Sequence, residues 1–411
     1  MRICLLCYRA NPFCGGQGIY LKYVAEALAR QGHEVHAIVG PPYPHHMDHV
    51  TIHYIENNQY YIKKGVECIT YDNPFDIFHP INAYEYIHSR LGAFPEISGF
   101  SYRAFFMVRK LHEKLHFDVI HDNQCIGYGL LFMKALGIPV VATIHHPLTI
   151  DLENVLERAS SFKNRMKGVM FYPILMQQIV SKRLDHIITV SEDSKHRITK
   201  DFGVPPHKQS VVYNGLDTSI FRKLPNIKKK HNKLLFVGNV EDGKKGFVYL
   251  LKALTLIQSD ATLTVIDGGA PHRRITQKLV DTLGMRNKVE FVGAASTDEL
   301  VHHYNEATIA IVPSVYEGFG FPAAEAMACG TPVIASDGGA LREVVGDAGI
   351  VVSARDEVAL ANAIDNLLQN KKLLQELSHK GIKRVQTHFN WDNAALQMAA
   401  IYEKVISSYY R

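Results

Sequence analysis

The chain has 411 residues, 47% hydrophobic and 21% charged, enough apolar material for two or three globular domains. Its net charge of +5 is small for that length and gives no support to nucleic-acid binding. Six cysteines without regular spacing and no N-terminal signal-like segment favour a reducing cytoplasm, and no apolar run reaches the ~20 residues that span a bilayer.

Arg2 to Tyr8 reads as a short buried strand. A Gly-rich loop, Gly15-Gly16-Gln17-Gly18, follows it, and then a helix over Ile19 to Gln31 that Gly32 ends. Cys4 and Cys7 lie in that strand, where positions three apart face opposite ways, so neither a shared metal nor a disulfide is expected there. Glu34 to Val39 is the next strand, with others at Val119-Ile120, Val140 to Ile144 and His186 to Val190. Residues 41–106 are rich in Tyr, His, Pro and Asn and break this rhythm; they read as an elaboration on the first domain.

A second array begins after the Lys-rich stretch Pro225 to Lys233. Strands are expected at Leu234 to Gly238, Ala261 to Asp267, Val289 to Val292, Thr308 to Val312, Pro332 to Ala335 and Gly349 to Val352. Helices are expected at Phe247 to Ile257 and Ile275 to Leu283. Strands alternating with helices imply parallel sheets covered on both faces. The fold class is therefore α/β, as two doubly wound Rossmann-like domains. In such sheets ligands bind beyond the carboxyl ends of strands. The loops at 9–18, 145–147, 239–246 and 313–321 all follow predicted strands.

One block stands out: Glu317-Gly-Phe-Gly-Phe-Pro-Ala-Ala-Glu325. Pro322 suits a first helical turn, Ala323 to Cys329 reads as helix, and Gly330 is a natural stop. Amides at Gly320 and Phe321 would then face outward from a helix N-terminus, a geometry suited to phosphate oxygens. Glu317 in the loop and Glu325 one turn into the helix could hold hydroxyl groups beside that anion. Spacing alone leaves a surface loop with a capping glutamate equally open.

Five motifs in order make the chain resemble the retaining GT-B glycosyltransferases of family 4. They are the E-x7-E block with Cys329-Gly-Thr-Pro-Val-Ile-Ala-Ser336 and Gly338-Gly339, then Val212-Tyr-Asn-Gly-Leu-Asp217, Phe236-Val-Gly238, Lys245-Gly246 and Thr143-Ile-His145. The resemblance implies two domains facing a cleft. Residues 1–213 would take the acceptor side and 214–390 the nucleotide sugar, and a helix over 391–411 would cross back to the first domain. It also implies retaining transfer from a nucleotide-diphosphate sugar to an acceptor hydroxyl, with no metal and no cofactor beyond that co-substrate. A nucleotide-sugar epimerase or phosphorylase on the same fold is the enzymatic alternative, and a catalytically weak nucleotide-sugar-binding protein the non-catalytic one.

By matching positions, Glu317 binds sugar hydroxyls and stabilises the reacting centre, Glu325 holds the ribose, and Lys245 neutralises the leaving diphosphate. Gly318, Phe319, Gly320 and Phe321 line the donor, with the last two supplying amides. His145 contacts the donor sugar, and Gly15 and Gly16 close on its phosphates. Asn239 stands where the family commonly has an arginine, and it lacks the guanidinium fork. Lys244, Arg273 or Arg274 could compensate. His146 follows His145 where the family often has Asp, yet adjacent residues on extended chain point apart, so no metal site is expected.

The acceptor is a small molecule, glycan or lipid. Tyr54, Tyr60, Tyr61, Tyr71, Tyr84 and Tyr86 in the elaboration suit sugar stacking as well as a local core. Residues 161–183 mix Lys163, Arg165 and Lys167 with Met166, Met170 and Phe171. That pattern fits either peripheral contact with an anionic membrane or a core helix with a solvated basic face.

Overall fold

The computed structural model describes residues 1–11, 16–44, 46–57, 60, 74–268 and 274–411. The chain divides into two compact units. One comprises Met1–Val190, Ser194–Val212 and Trp391–Arg411, the other Ser191–Asp193 and Tyr213–Asn390.

The first unit opens with β1 (Arg2–Cys7), α1 (Gly16–Arg30), β2 (Glu34–Val39) and β3 (Val50–Tyr54), then α2 (Pro80–Arg90) and α3 (Glu96–Leu115). It continues through β4 (Val119–Asn123), α4 (Gly129–Lys134), β5 (Val140–Ile144), α5 (Leu148–Arg158), α6 (Phe162–Phe171) and α7 (Ile174–Arg183). β6 (His186–Thr189), α8 (Glu192–Phe202) and β7 (Gln209–Val211) complete its sheet, which among the described residues has the order β3-β2-β1-β4-β5-β6-β7. Every pairing is parallel, with β1 between β2 and β4 and Leu5 opposite Ala37 on one side and His121 on the other.

The second unit runs β8 (Lys233–Val237), α9 (Phe247–Leu254), β9 (Thr262–Ile266), α10 (Arg274–Thr282), β10 (Val289–Gly293) and α11 (Thr297–Glu306). Next come β11 (Ile309–Val312), α12 (Phe321–Ala328), β12 (Val333–Ser336), α13 (Leu341–Val345), β13 (Ile350–Val352), α14 (Glu357–Gln369) and α15 (Lys371–His388). Its sheet is parallel in the order β10-β9-β8-β11-β12-β13. The central strands are unbroken apolar runs because helices cover both faces, so Leu234, Ile309, Val333 and Ile334 are fully buried. The last helix, α16 (Trp391–Tyr409), packs on α1 of the first unit.

The expected strands of both arrays form, most shifted by only a residue or two. Three local readings change. The elaboration contains β3, which pairs with β2; its half-exposed face and mixed Val-Thr-Ile-His-Tyr sequence weaken the strand signal. α1 starts at Gly16, so Gly16, Gln17 and Gly18 are helical rather than part of a loop. The basic stretch after Ser161 is two helices, separated at Pro173. Of the elaboration's tyrosines, Tyr60 is buried edge-on to Tyr86 and Tyr54 is exposed, while Tyr61 and Tyr71 lie outside the described residues. Cys4 and Cys7 are buried free thiols.

A buried polar chain ties α16 to the first sheet. Tyr20 on α1 meets Thr143 Oγ1 at 2.7 Å, Thr143 meets His121 Nε2 at 2.8 Å, and His121 Nδ1 meets the Tyr402 hydroxyl on α16 at 2.5 Å. All four side chains are at most 2% exposed, so each polar atom needs its partner. Burial pushes the His121 imidazole down to about 3. The folded value lies below the ordinary 6.5, so the unfolded chain takes up the proton first. Stability is therefore full above that ordinary value and is lost as pH falls towards 3, by up to ~1.4 kcal/mol per pH unit for each such histidine. Trp391, the single tryptophan, stacks on Tyr23 in this unit and reports its unfolding. Urea titrations followed by Trp391 fluorescence should give a midpoint that drops from pH 6.5 to 4, and His121→Gln should flatten that slope while lowering stability at pH 7.5.

Candidate functional site

In the second unit, the turns after β8 and β11 meet because glycine lets their backbones touch. Asn239 Oδ1 accepts from the Glu241 amide and Asp242 Oδ1 from the Lys244 amide, winding residues 239–245 into successive tight turns. Gly246 follows at φ 66°, and a Cβ there would sit 1.9 Å from the Pro313 carbonyl oxygen. The Lys244 carbonyl accepts from the Val315 amide at 2.7 Å. Gly339 (φ 63°) presses on the other side, where a Cβ would come within 2.3 Å of the Glu317 carbonyl oxygen. These approaches hold Glu317 against Lys245.

The two side chains form an ion pair, Lys245 Nζ to Glu317 Oε1 at 2.7 Å, and Ser314 Oγ donates to the same oxygen at 2.9 Å. Both are largely covered, with side-chain exposures of 26% for Lys245 and 12% for Glu317, so the pair is screened less than a surface bridge. Gly318 and Phe319 continue the loop, and Phe319 packs edge-on against Phe321. Gly320, at φ 103°, caps α12, with Pro322 in the first turn. Neither the Gly320 nor the Phe321 amide has a hydrogen-bond partner among the described residues. An anion placed there would meet free N–H groups and the positive end of the helix dipole.

Glu325 sits one turn in, half-buried. Tyr304, fully buried on α11, donates its hydroxyl to Glu325 Oε2 at 2.7 Å. Burial raises the Glu325 carboxyl to about 7, while the Tyr304 hydrogen bond and the Lys245 charge pull it down. The group thus titrates at neutral pH and can present either an acceptor-only carboxylate or a protonated acid.

The first unit holds a separate constellation around His145, just past β5. Asn123, at the end of β4, donates from Nδ2 to the Gln17 carbonyl at 2.9 Å, and its Oδ1 meets His145 Nε2 at 2.8 Å. A carbonyl can only accept, so the Asn123 amide is fixed, and His145 must carry its proton on Nε2. Burial, helped by His146 and His121, pushes His145 down to about 3, so the ring is neutral with Nδ1 as an acceptor. Gln124 (φ 61°) clamps both sides of His145: its Oε1 accepts from the His145 amide and its Nε2 donates to the His146 carbonyl at 2.7 Å. His146 turns instead to Asp151, 3.1 Å away.

The sequence-predicted residues therefore fall into two groups. Lys245 and Glu317 touch beside the α12 N-terminus, with Glu325 following; His145 stands in the other unit with Gly16 at the start of α1. Asn239 is exposed and spends its Oδ1 on a turn. Gly15 and Arg273 lie outside the described residues, as does the Arg274 side chain. Sequence reading missed Ser314, Tyr304, Asn123 and Gln124. The signal for the last two was a polar His-Asp-Asn-Gln run at the carboxyl end of a strand; Tyr304, on a neighbouring helix, left none. Among the described residues no group of three His, Cys, Asp or Glu could hold a metal ion.

Two doubly wound parallel-sheet units, one with a carboxylate pair astride a helix N-terminus and a lysine against the first carboxylate, define a glycosyltransferase of the GT-B class. Residues 14–220 match the family described as Glycosyltransferase Family 4, and residues 217–384 match Glycosyl transferases group 1. The chain is 35% identical over 99% of both chains to an MMP alpha-(1→4)-mannosyltransferase of Mycolicibacterium hassiacum. It is 29% identical to a D-inositol 3-phosphate glycosyltransferase of Frankia alni, covering 72% of this chain and 76% of that one. Among solved structures it shares the fold of sucrose-phosphate synthase from Thermosynechococcus elongatus, with TM-score 0.75 and 24% identity over 99% of this chain and 100% of that chain. Anabaena Alr3699/HepE in complex with UDP-glucose aligns with TM-score 0.66 and 18% identity over 98% and 100% of the two chains. The chain belongs to glycosyltransferase family 4, and it is a hexosyltransferase that moves a sugar from a donor to an acceptor.

The Tyr304–Glu325 bond predicts a pH profile. Donor kcat/KM should fall as pH drops through about 7, where Glu325 loses its charge. Tyr304→Phe removes the hydrogen bond that favours the carboxylate, so the acid limb should move up by about one pH unit, the worth of a charged hydrogen bond of ~1.5 kcal/mol.

Proposed function

We propose that the chain is a retaining, metal-independent transferase that carries a hexosyl group from a nucleoside-diphosphate sugar to an acceptor hydroxyl. The observation that carries this reading is the Lys245–Glu317 pair beside the unpartnered Gly320 and Phe321 amides. A departing diphosphate leaves negative charge on its oxygens. Lys245 and those two amides supply the cation and dipoles for it without a metal, and such preorganised donors act where charge develops. In this reading Lys245 moves from Glu317 to the incoming diphosphate, and the carboxylate is released to take sugar hydroxyls and stabilise an oxocarbenium-like centre. Glu325 then accepts from the ribose. His145, neutral and held by Asn123, accepts through Nδ1 from a hydroxyl of the transferred sugar.

The anomeric bond to phosphate breaks while the acceptor oxygen bonds on the same face, and the acceptor proton passes to the leaving phosphate oxygen. A mannosyl donor fits best, because the relative matched over nearly its whole length is named a mannosyltransferase.

The test is turnover of GDP-mannose and of UDP-sugars against simple mannosides, with product stereochemistry read by NMR. The donor anomeric configuration should be retained, EDTA should not slow the reaction, and Lys245→Ala should lower kcat by about 10²–10³. An inverted product, or a Glu317→Ala variant as active as the parent, would sink this mechanism.

One surface supports peripheral contact with an anionic membrane. Phe162, Met166, Val169 and Met170 form one exposed face of α6, flanked by Lys163, Arg165 and Lys167, while only Gly168 of the helix is buried, against Val155 and Leu152. No helix among the described residues is long and apolar enough to cross a membrane. The protein should co-sediment with phosphatidylserine-containing vesicles but not with phosphatidylcholine alone, and Phe162→Asp with Met166→Asp should abolish pelleting.

A further inference from the structure

The second unit contains a cavity of about 310 Å3 that the donor chemistry does not use. This is the lower end of small-ligand pockets, roughly 300–1,000 Å3. It lies at the C-terminal end of α12, bounded by Cys329 and Gly330, whereas the amides described above and Glu325 belong to the start and middle of that helix and Glu317 to the loop before it. One face of α15 forms a wall through Lys371, Leu374, Gln375 and Ser378, which recur at helical spacing. The segment before β8 supplies the opposite wall. Gly330 lets that segment close down: a Cβ there would meet Ser378 Oγ at 3.1 Å and the Lys223 stem at 3.3 Å.

The lining charge is of one sign. Lys223, Lys229, Lys371 and His379 border the cavity, and no Asp or Glu does. None of the three lysines has an ion-pair partner among the described residues. Lys230 and Lys233, close by in sequence, both pair with Glu306 instead. Lys229 is an exposed residue, but its ammonium turns in to the buried Thr331 hydroxyl at 2.5 Å and the Tyr304 carbonyl at 3.4 Å. Desolvation lowers that ammonium to about 7, the mark of a cation without a counter-charge. Leu224, Ile227 and Leu374 give the remaining lining an apolar character.

We propose that this cavity binds a small phosphate monoester, its dianion among Lys223, Lys229 and Lys371 and its body against Leu224, Ile227 and Leu374, and that occupancy alters donor affinity through Tyr304. The route to the donor side is short. Lys229 and Thr331 both contact the Tyr304 carbonyl, and the Tyr304 hydroxyl holds Glu325. A dianion that draws the Lys229 ammonium from Thr331 and Tyr304 changes how that tyrosine is held.

Phenyl phosphate is a suitable probe, with inorganic phosphate and phenol as its two halves. Isothermal titration of the full chain, saturated with GDP to occupy any donor-side anion site, should show phenyl phosphate binding in the millimolar range or tighter, inorganic phosphate more weakly, and phenol not at all. Lys223→Ala with Lys371→Ala should weaken binding at least tenfold while leaving turnover without probe unchanged. Absence of binding at 10 mM, equal binding by the double variant, or loss of binding on adding GDP would overturn the site. These readings need no catalysis, so they stand apart from the transferase mechanism. Phenyl phosphate should also change the donor KM severalfold in the parent and not in the double variant; an unchanged KM with the site filled would overturn the coupling.

Discussion

The meeting of Lys245 and Glu317 rests on backbone approaching backbone at distances that exclude a side chain. Gly246 lies under the Pro313 carbonyl and Gly339 against the Glu317 carbonyl, and both take left-handed φ. Because these contacts are made by main chain, Lys245 and Glu317 meet without a long flexible reach. The parallel sheet sets this up: β8 and β11 are neighbours, so the turns at their carboxyl ends emerge side by side. A methyl group at either glycine would part the turns and separate the ion pair.

Desolvation then sets the protonation states. The same burial that drives His121 and His145 towards neutrality raises Glu325 into the neutral range, since each loses water that would favour its charged form. The outcomes differ with the partners. His121 is locked between Thr143 and Tyr402 and serves structure, tying α16 to the sheet. His145 keeps one nitrogen on Asn123 and leaves the other as an acceptor, and Glu325 keeps one oxygen on Tyr304. A side chain held on one side and open on the other is positioned without being consumed.

The α12 helix joins two surfaces of opposite character. Its N-terminus offers amides and carboxylates, and its C-terminal end closes a cavity bordered by lysines and a histidine with no carboxylate, with Tyr304 in contact with both regions. Eight residues of helix span only ~12 Å, so the two regions lie close together.

Local pattern determined a great deal. Apolar runs alternating with helical periodicity gave both arrays, since strands covered on both faces must be apolar throughout. The Glu317 to Glu325 block announced its own turn and helix, because glycine, proline and stop signals act within a few residues. Strand β3 escaped, being an edge strand with a half-polar face, and so did the helical start at Gly16, where glycine suggested a loop. Tertiary structure alone decided which groups meet. Lys245 and Glu317 are 72 positions apart, Tyr304 and Glu325 are 21 apart, and Asn123 lies 106 positions from the carbonyl that orients it. Which of these residues pair with which carries no mark in sequence, for hydrogen-bond geometry and desolvation arise only when the fold brings distant segments together.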